Sequence, residues 1–450
     1  MKKILLLAAV AAFILPSCAK IDNVKQTEQN TPVSFGIYFP RGTKDTKAGA
    51  AGTITTDGTD GTSSTVIAQS LQDLGFGVFA TYSDGGDYES NIGPNFMYNT
   101  KVSTSSWTYS PIKYWPNETI DDNQGAYGPS PTAADKLSFF AYAPHVGYVN
   151  DPTHGNDFDG STTEGIIALS AKDATTDPKV TYKLSATPDK AVDLLWAVAP
   201  SGGFNYTDVH NQAVSVTAGM PLINLTKPST SQKITFRFRH ATSRLGLKIV
   251  GAFDQESAGG TLAGDTKVTV EKVEIIAPLY QSGVLNLNNT TANKPLWEIS
   301  SGATSTTLTV TGDNLNSTIK DSGSAEVQSV VGVTASEKNV YADDNMFLTL
   351  IPKAGATTVR VKITYYVTTA DKALASGFSR VQNIIYKDIT FGSDGESPSD
   401  GFEAGKAYTI KITLGLTSVK LDASVEDWVD ATPSSEVDLP ANITPATPAP

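Results

Sequence analysis

Cysteine is almost missing from this 450-residue chain, Cys18 being the only one. That excludes an intramolecular disulfide and any cysteine-based metal cluster. Histidine is nearly as scarce: His145, His154, His210 and His240 are the full set, and none stands in a His-Glu-x-x-His pattern. Charged residues make up only 18%, little for the long solvated helices that Glu and Lys favour. Positive charge is the scarcer sign, with 34 Lys and Arg against 46 Asp and Glu and a formal net charge of −12. A chain so acidic has no electrostatic grip on a phosphate backbone, so nucleic acid is a poor partner. What is plentiful is Gly, Thr and Ser, alongside a hydrophobic share of 40%. That share supports real cores and excludes wholesale disorder. Thr with Val, Ile and Tyr suits pleated sheets, so the chain reads as all-β. Its length fits two or three domains, two being the natural first division.

The amino terminus has the layout of a secretory signal. Lys2 and Lys3 come first, an apolar run from Ile4 to Leu15 follows, and Leu15-Pro16-Ser17-Cys18 closes it. The run is well short of the roughly 20 residues that cross a bilayer as a helix, so a transmembrane anchor is not expected. Leu three residues before the cysteine and Ser just before it resemble a bacterial lipobox. The resemblance implies a signal peptide over residues 1–17, a thioether lipid on Cys18 and a mature chain that begins there. A plain signal peptide with Cys18 lost or idle is the alternative. The only thiol in the chain falls at the one position a lipid requires, which favours lipidation. Acyl chains at about 0.8 kcal/mol per buried methylene would then hold the chain to a membrane.

Residues 18–32 are polar and aperiodic, as a tether is. Val33, Phe35, Ile37 and Phe39 then alternate with Ser34, Gly36 and Tyr38, the period-two pattern of a strand with one buried face. A loop rich in Gly, Thr and Asp runs from Arg41 to about Ser64 and carries Arg41, Lys44 and Lys47. With almost nothing in it that packs, it is expected to be exposed and open to proteases. Strand-like segments follow at Phe76–Tyr82, Trp107–Tyr109, Ile112–Trp115, Leu137–Ala143, Val180–Leu184 and Leu194–Ala199, parted by Gly, Pro, Asn and Asp. Asn224 to Gln232 has the composition of a linker. Beyond it the alternation sharpens at Ile234–Arg239, Val359–Tyr365 and Tyr408–Leu414. One wet face and one dry face indicate antiparallel sandwiches. Two β-sandwich domains are expected, over residues 33–227 and 228–430.

Residues 431–450 form a proline-rich tail, expected to be unpacked in the isolated chain. Within it Val437, Leu439, Ala441 and Ile443 fall at the spacing of Val33, Phe35, Ile37 and Phe39. Pro440 lies on the polar face and costs one ladder hydrogen bond if that side of the strand is paired. Chance alternation in a polar tail is the bland alternative.

No constellation for catalysis stands out. There is no Gly-x-Ser-x-Gly elbow and no phosphate-cradling glycine loop; Gly75-Phe76-Gly77 lacks a third glycine. Ser317-Thr318-Ile319-Lys320 has a Ser-x-x-Lys spacing without partner motifs, so chance explains it better. Asp121-Asp122-Asn123 and Asn156–Gly160 are acidic, yet neither completes a twelve-residue calcium loop. Trp107, Tyr109, Tyr114 and Trp115 offer a sugar-binding surface, but Trp107 and Tyr109, two apart on a strand, more simply share a sheet face. His240, directly after an alternating strand, is expected to be a packed or hydrogen-bonded strand-end residue. The expectation is a non-enzymatic chain with no metal and no cofactor; a hydrolase with a novel site is the long shot.

Several segments together resemble the fimbrillin family, the type V pilins of Bacteroides-like bacteria. They are Trp107-Thr-Tyr-Ser-Pro-Ile-Lys-Tyr-Trp-Pro116, Leu137-Ser-Phe-Phe-Ala-Tyr-Ala-Pro144 and Asp193-Leu-Leu-Trp-Ala197, then Phe236-Arg-Phe-Arg-His-Ala-Thr-Ser-Arg-Leu245, Tyr408–Leu414 and Val425-Glu-Asp-Trp428. The resemblance implies two tandem transthyretin-like antiparallel β-sandwich domains. It implies a lipoprotein precursor exported to the outer membrane and surface-exposed, then assembled into a fimbrium with other subunits, in a homo- or heteropolymer that supports adhesion. It implies cleavage after an Arg behind the first strand, which makes Arg41 the first candidate, with Lys44 and Lys47 behind it. Val33, Phe35, Ile37 and Phe39 would then mark the displaced strand. Val437, Leu439, Ala441 and Ile443 would mark the strand donated to a neighbour. A surface lipoprotein that binds glycans or host proteins without polymerising, or a fimbrial anchor subunit, is the alternative.

Overall fold

The computed structural model describes residues 31–38, 71–103, 106–116, 120–121, 126–127, 134–147, 163–251, 256–257, 261–262, 266–320, 337–343, 346–391, 401–415 and 419–427. Cys18, Phe39, Arg41, Lys44 and Lys47 lie outside these residues, as does the tail with Val437, Leu439, Ala441 and Ile443.

The described residues form an all-β fold whose longest helix is the four-residue Leu71–Leu74. In the first half the main strands are β1 (Ser34–Ile37), β2 (Phe76–Ser83), β3 (Met97–Val102), β4 (Lys136–Ala143), β5 (Gly165–Leu169), β6 (Lys179–Lys183) and β7 (Leu195–Val198). A hairpin of β8 (Phe204–Thr207) and β9 (Ala213–Val216) leads into β10 (Leu222–Leu225) and β11 (Lys233–His240). The second half continues with β12 (Ser243–Gly251), β13 (Thr266–Leu279), β14 (Ser282–Asn286), β15 (Leu296–Glu298) and β16 (Thr304–Thr311). It ends with β17 (Lys338–Asn339), β18 (Leu348–Leu350), β19 (Thr357–Ala370), β20 (Phe378–Phe391), β21 (Lys406–Leu414) and β22 (Val419–Asp427).

A seven-stranded sheet runs β1-β11-β7-β4-β2-β3, with β10 also paired to β4. Strands β2, β4 and β7 are buried almost end to end because both faces of this sheet are covered, which is why their sequences carry near-continuous apolar runs. One face holds Phe76, Val78, Phe139 and Leu195 in a core closed by Tyr109, Trp115, Phe204 and Val216. On the other face Phe79, Phe140, Tyr142 and Trp196 pack against Val180, Tyr182 and Leu285 of a four-stranded sheet ordered β15-β14-β6-β5.

The second-half sandwich pairs a five-stranded sheet (β17-β12-β21-β22, with β18 also on β12) with a four-stranded one (β16-β13-β19-β20). Here alternation decides burial. Leu245, Leu247 and Ile249, Val359, Val361 and Ile363, and Tyr408, Ile410 and Ile412 all point into one core, while their polar neighbours face out.

The sheets are antiparallel, as expected, except for two parallel pairs, β1 with β11 and β12 with β21. Periodicity fixes which face is buried but carries no information on strand direction. Trp107–Tyr109 and Ile112–Trp115 form no strands; they contribute single bridges, Ser103 to Thr108 and Pro32 to Tyr114. Trp107 has φ +54°, outside the extended region, and Pro111 cannot donate to a ladder. Trp107 and Tyr109 still meet one core, reaching it from a turn.

Three strand pairs cross residues 227/228: β1 with β11, β7 with β11 and β6 with β14. Strand β11 sits inside the first sheet, and the hairpin β14–β15 completes the sheet that covers it. The segment with linker composition is packed: Leu225 is fully buried, and Thr226 and Lys227 nearly so.

Candidate strand-exchange site

Strand β1 occupies one edge of the seven-stranded sheet. Its register against β11 sets Ser34 beside Lys233, Phe35 beside Ile234, Gly36 beside Thr235 and Ile37 beside Phe236. The ladder is extended by the Tyr38 amide, which donates to the Phe236 carbonyl at 2.7 Å. Among the described residues, the opposite flank is held only at its start. The Val33 amide donates to Lys113 O and the Trp115 amide to Thr31 O, both at 2.9 Å. Beyond Val33, no described strand pairs with that flank. An edge with one full ladder and one short clamp is the kind of strand that another chain can replace.

The side chains explain why β1 is held at all. Val33 and Phe35 are each 1% exposed, and Ile37 packs half-buried against the same core. The Phe35 ring stacks on Phe236 at 5.9 Å and meets Tyr109, Phe139 and Phe76 edge-on at 5.3, 5.9 and 6.4 Å. Full burial of Val33 and Phe35 contributes about 1.5–3 kcal/mol each, and each good ring pair adds about 0.5–1.5 kcal/mol. Phe35 is the anchor of the strand.

Tyr109 is the clamp at its entrance. Its hydroxyl donates to the Val33 carbonyl at 2.8 Å and accepts from the Lys113 amide at 3.2 Å. Burial pushes the phenol above its ordinary range, opposed by the backbone hydrogen bond at Lys113, so it remains a donor at neutral pH. At the other end the Tyr38 and Ser201 hydroxyls meet at 2.6 Å on the surface.

By fold, the chain aligns with a fimbrial protein from Bacteroides vulgatus over 89% of its own length and 100% of that chain, at 21% identity and a TM-score of 0.54. The chain has the fold of that fimbrial protein. Weaker likenesses reach a putative cell adhesion protein from Bacteroides uniformis (15% identity, TM-score 0.38, covering 85% of this chain and 99% of that one). A fimbrilin from Porphyromonas gingivalis is similar at 9% identity and a TM-score of 0.33, covering 90% of this chain and 99% of that one. No protein-family model matches the chain, and no curated protein matches it.

Within this fimbrial fold, the expected strand residues Val33, Phe35 and Ile37 come together on one core, while the processing and donor residues fall outside the described ones. The Trp107–Pro116 segment, expected to form strands that share a sheet face, has another task. The segment supplies the Tyr109 clamp, the Lys113 carbonyl and Trp115, which meets Phe139 edge-on at 6.1 Å. The other motifs lead to structural roles. His240 Nδ1 lies 2.9 Å from Asp193 Oδ1 with both side chains fully buried. The Lys320 ammonium is paired with Asp313 at 2.9 Å, and Ile319 is core. Among the described residues, no three His, Cys, Asp or Glu side chains gather as metal ligands, and no helix is long and apolar enough to cross a membrane.

Proposed function

We propose that the chain is a structural or tip subunit of a cell-surface fimbria, exported as a lipoprotein on Cys18 and assembled by strand exchange in support of adhesion. The observation that carries this reading is the position of β1: a short edge strand, paired in full on one side, whose main side chain fills an aromatic pocket. The fold shared with a fimbrial protein supports it. In the intact precursor β1 is tethered to the rest of the chain, so its effective concentration at the groove is high and no neighbour competes. A cut after Arg41, or after Lys44 or Lys47, turns β1 into a separate peptide. Once it leaves, a strand of Val, Phe and Ile side chains is missing from an otherwise intact core, and a neighbour's strand refills it. The tail segment Glu436–Ile443 is this chain's own contribution to the next subunit.

Trypsin treatment of the purified precursor tests this. Trimming near Arg41 is expected to let the chain take up a labelled peptide of its own residues 31–39, seen by gel filtration, and the triple variant Arg41→Gln, Lys44→Gln, Lys47→Gln is expected to take up none. Deleting residues 431–450 is expected to leave trimming and peptide uptake unaffected while abolishing the chain's donation to a trimmed partner subunit. A trimmed chain that keeps its fold and takes up no strand peptide would refute strand exchange.

A further inference from the structure

We infer that the groove left by β1 is built for a strand with an aromatic side chain in the place of Phe35, so that its occupant is a different subunit and not a second copy of this chain. The inference rests on the strand exchange proposed above and concerns who supplies the strand.

Four rings define the pocket. Phe236 stacks on Phe35 with an interplanar angle of 13°, and Phe76, Tyr109 and Phe139 present edges to it. A flat ring satisfies one stacked and three edge contacts at once; a branched aliphatic chain in the same space leaves ring faces uncovered. The donor segment proposed above lies in residues 431–450, where no Phe, Tyr or Trp occurs. Run in the direction of β1, with its alternation matched, the tail places Leu439 at the ring pocket. Run in the opposite direction, it places Ala441 there.

The ladder gives a second, independent mismatch. The Tyr38 amide points to β11 and the Val33 amide points to the other flank. Amides alternate sides along a strand, so those of Ser34 and Gly36 also point to β11. In the β1 direction Pro440 takes the place of Gly36 and brings no N–H, leaving a carbonyl of β11 without its donor. Charge, by contrast, does not separate the candidates. Ser34 lies beside exposed Lys233 on a face that also carries Arg237 and Arg239, which suits an acidic residue before the aromatic. Asp438 of the chain's own tail meets that requirement as well, and an exposed pair contributes little. The occupant indicated is therefore a strand that is aromatic at the Phe35 position and free of proline at the Gly36 position.

Labelled peptides decide it. The full-length precursor is trimmed with trypsin in the presence of one of three peptides: its own residues 31–39, its tail residues 435–444, or the tail peptide carrying Leu439→Phe and Pro440→Gly. None contains Lys or Arg, so all survive the protease. The expected result is capture of the first and third peptides, the third at least about tenfold more tightly than the unmodified tail. Equal capture of the tail and its variant, within about twofold, overturns the inference and leaves strand exchange standing. If even the chain's own residues 31–39 are not retained, strand exchange itself fails and this inference with it.

Discussion

Phe35 carries more of the exchange site than any other side chain, because it is 1% exposed and touches four rings. Removing a buried ring without collapse of its surroundings costs the transfer term and a cavity term. Phe35→Ala is therefore expected to destabilise the precursor by about 3–5 kcal/mol, read from urea unfolding; a loss below about 1 kcal/mol would mean that the pocket closes without the ring. His145 offers a pH handle of a different kind. Burial pushes its imidazole from the ordinary 6.5 down to about 4, partly opposed by the Asn99 carbonyl 3.3 Å from Nε2. The unfolded chain takes up a proton near pH 6.5 and the folded chain only near pH 4, so this contribution is full above 6.5 and is lost as pH falls toward 4. The loss is of order 2–3 kcal/mol. Unfolding free energies of the wild type and His145→Gln, compared between pH 7 and 4, should differ in slope across that window; parallel curves would show that the ring is protonated in the folded chain.

Single elements mark how far the sequence reaches. Alternation at Ile234–Arg239 and Tyr408–Leu414 identifies the strands Lys233–His240 and Lys406–Leu414 and their buried faces, because a half-buried strand writes its face into every second residue. The same logic places Val33, Phe35 and Ile37 on one core. The double-sided burial of β2, β4 and β7 is less legible: a continuous apolar run says that both faces are covered but not by what. Direction and partnership are not legible at all. That β1 runs parallel to β11, or that Tyr109 clamps a carbonyl 76 residues away, depends on topology that no local period encodes. The Trp107–Trp115 segment misleads for a related reason, since its apolar spacing imitates a strand while Trp107 adopts a left-handed backbone at φ +54°.

At the scale of the whole molecule the two halves are interlocked, and the consequence can be measured. A chain ending at residue 227 lacks β11, the sole ladder partner of β1 among the described residues and a neighbour of β7. It also lacks β14 and β15, which complete the second sheet beside the β6 strand that carries Val180 and Tyr182. Ile234, Phe236, Phe238, Leu285 and Leu287 go with them, all nearly inaccessible in the intact chain. At about 1.5–3 kcal/mol per fully buried side chain, their combined loss is of order 8–15 kcal/mol, comparable to the entire stability of an ordinary domain at about 5–15 kcal/mol. Residues 31–227 expressed alone are therefore expected to show no cooperative urea transition and no near-ultraviolet circular dichroism. Co-expressed with residues 228–450, they are expected to recover both as a non-covalent complex, since the missing strands are then supplied in trans. A cooperative transition from residues 31–227 alone would mean that the first sheet tolerates the loss of β11, and with it that β1 is held mainly by the clamp at Tyr109 and Lys113 and not by its ladder.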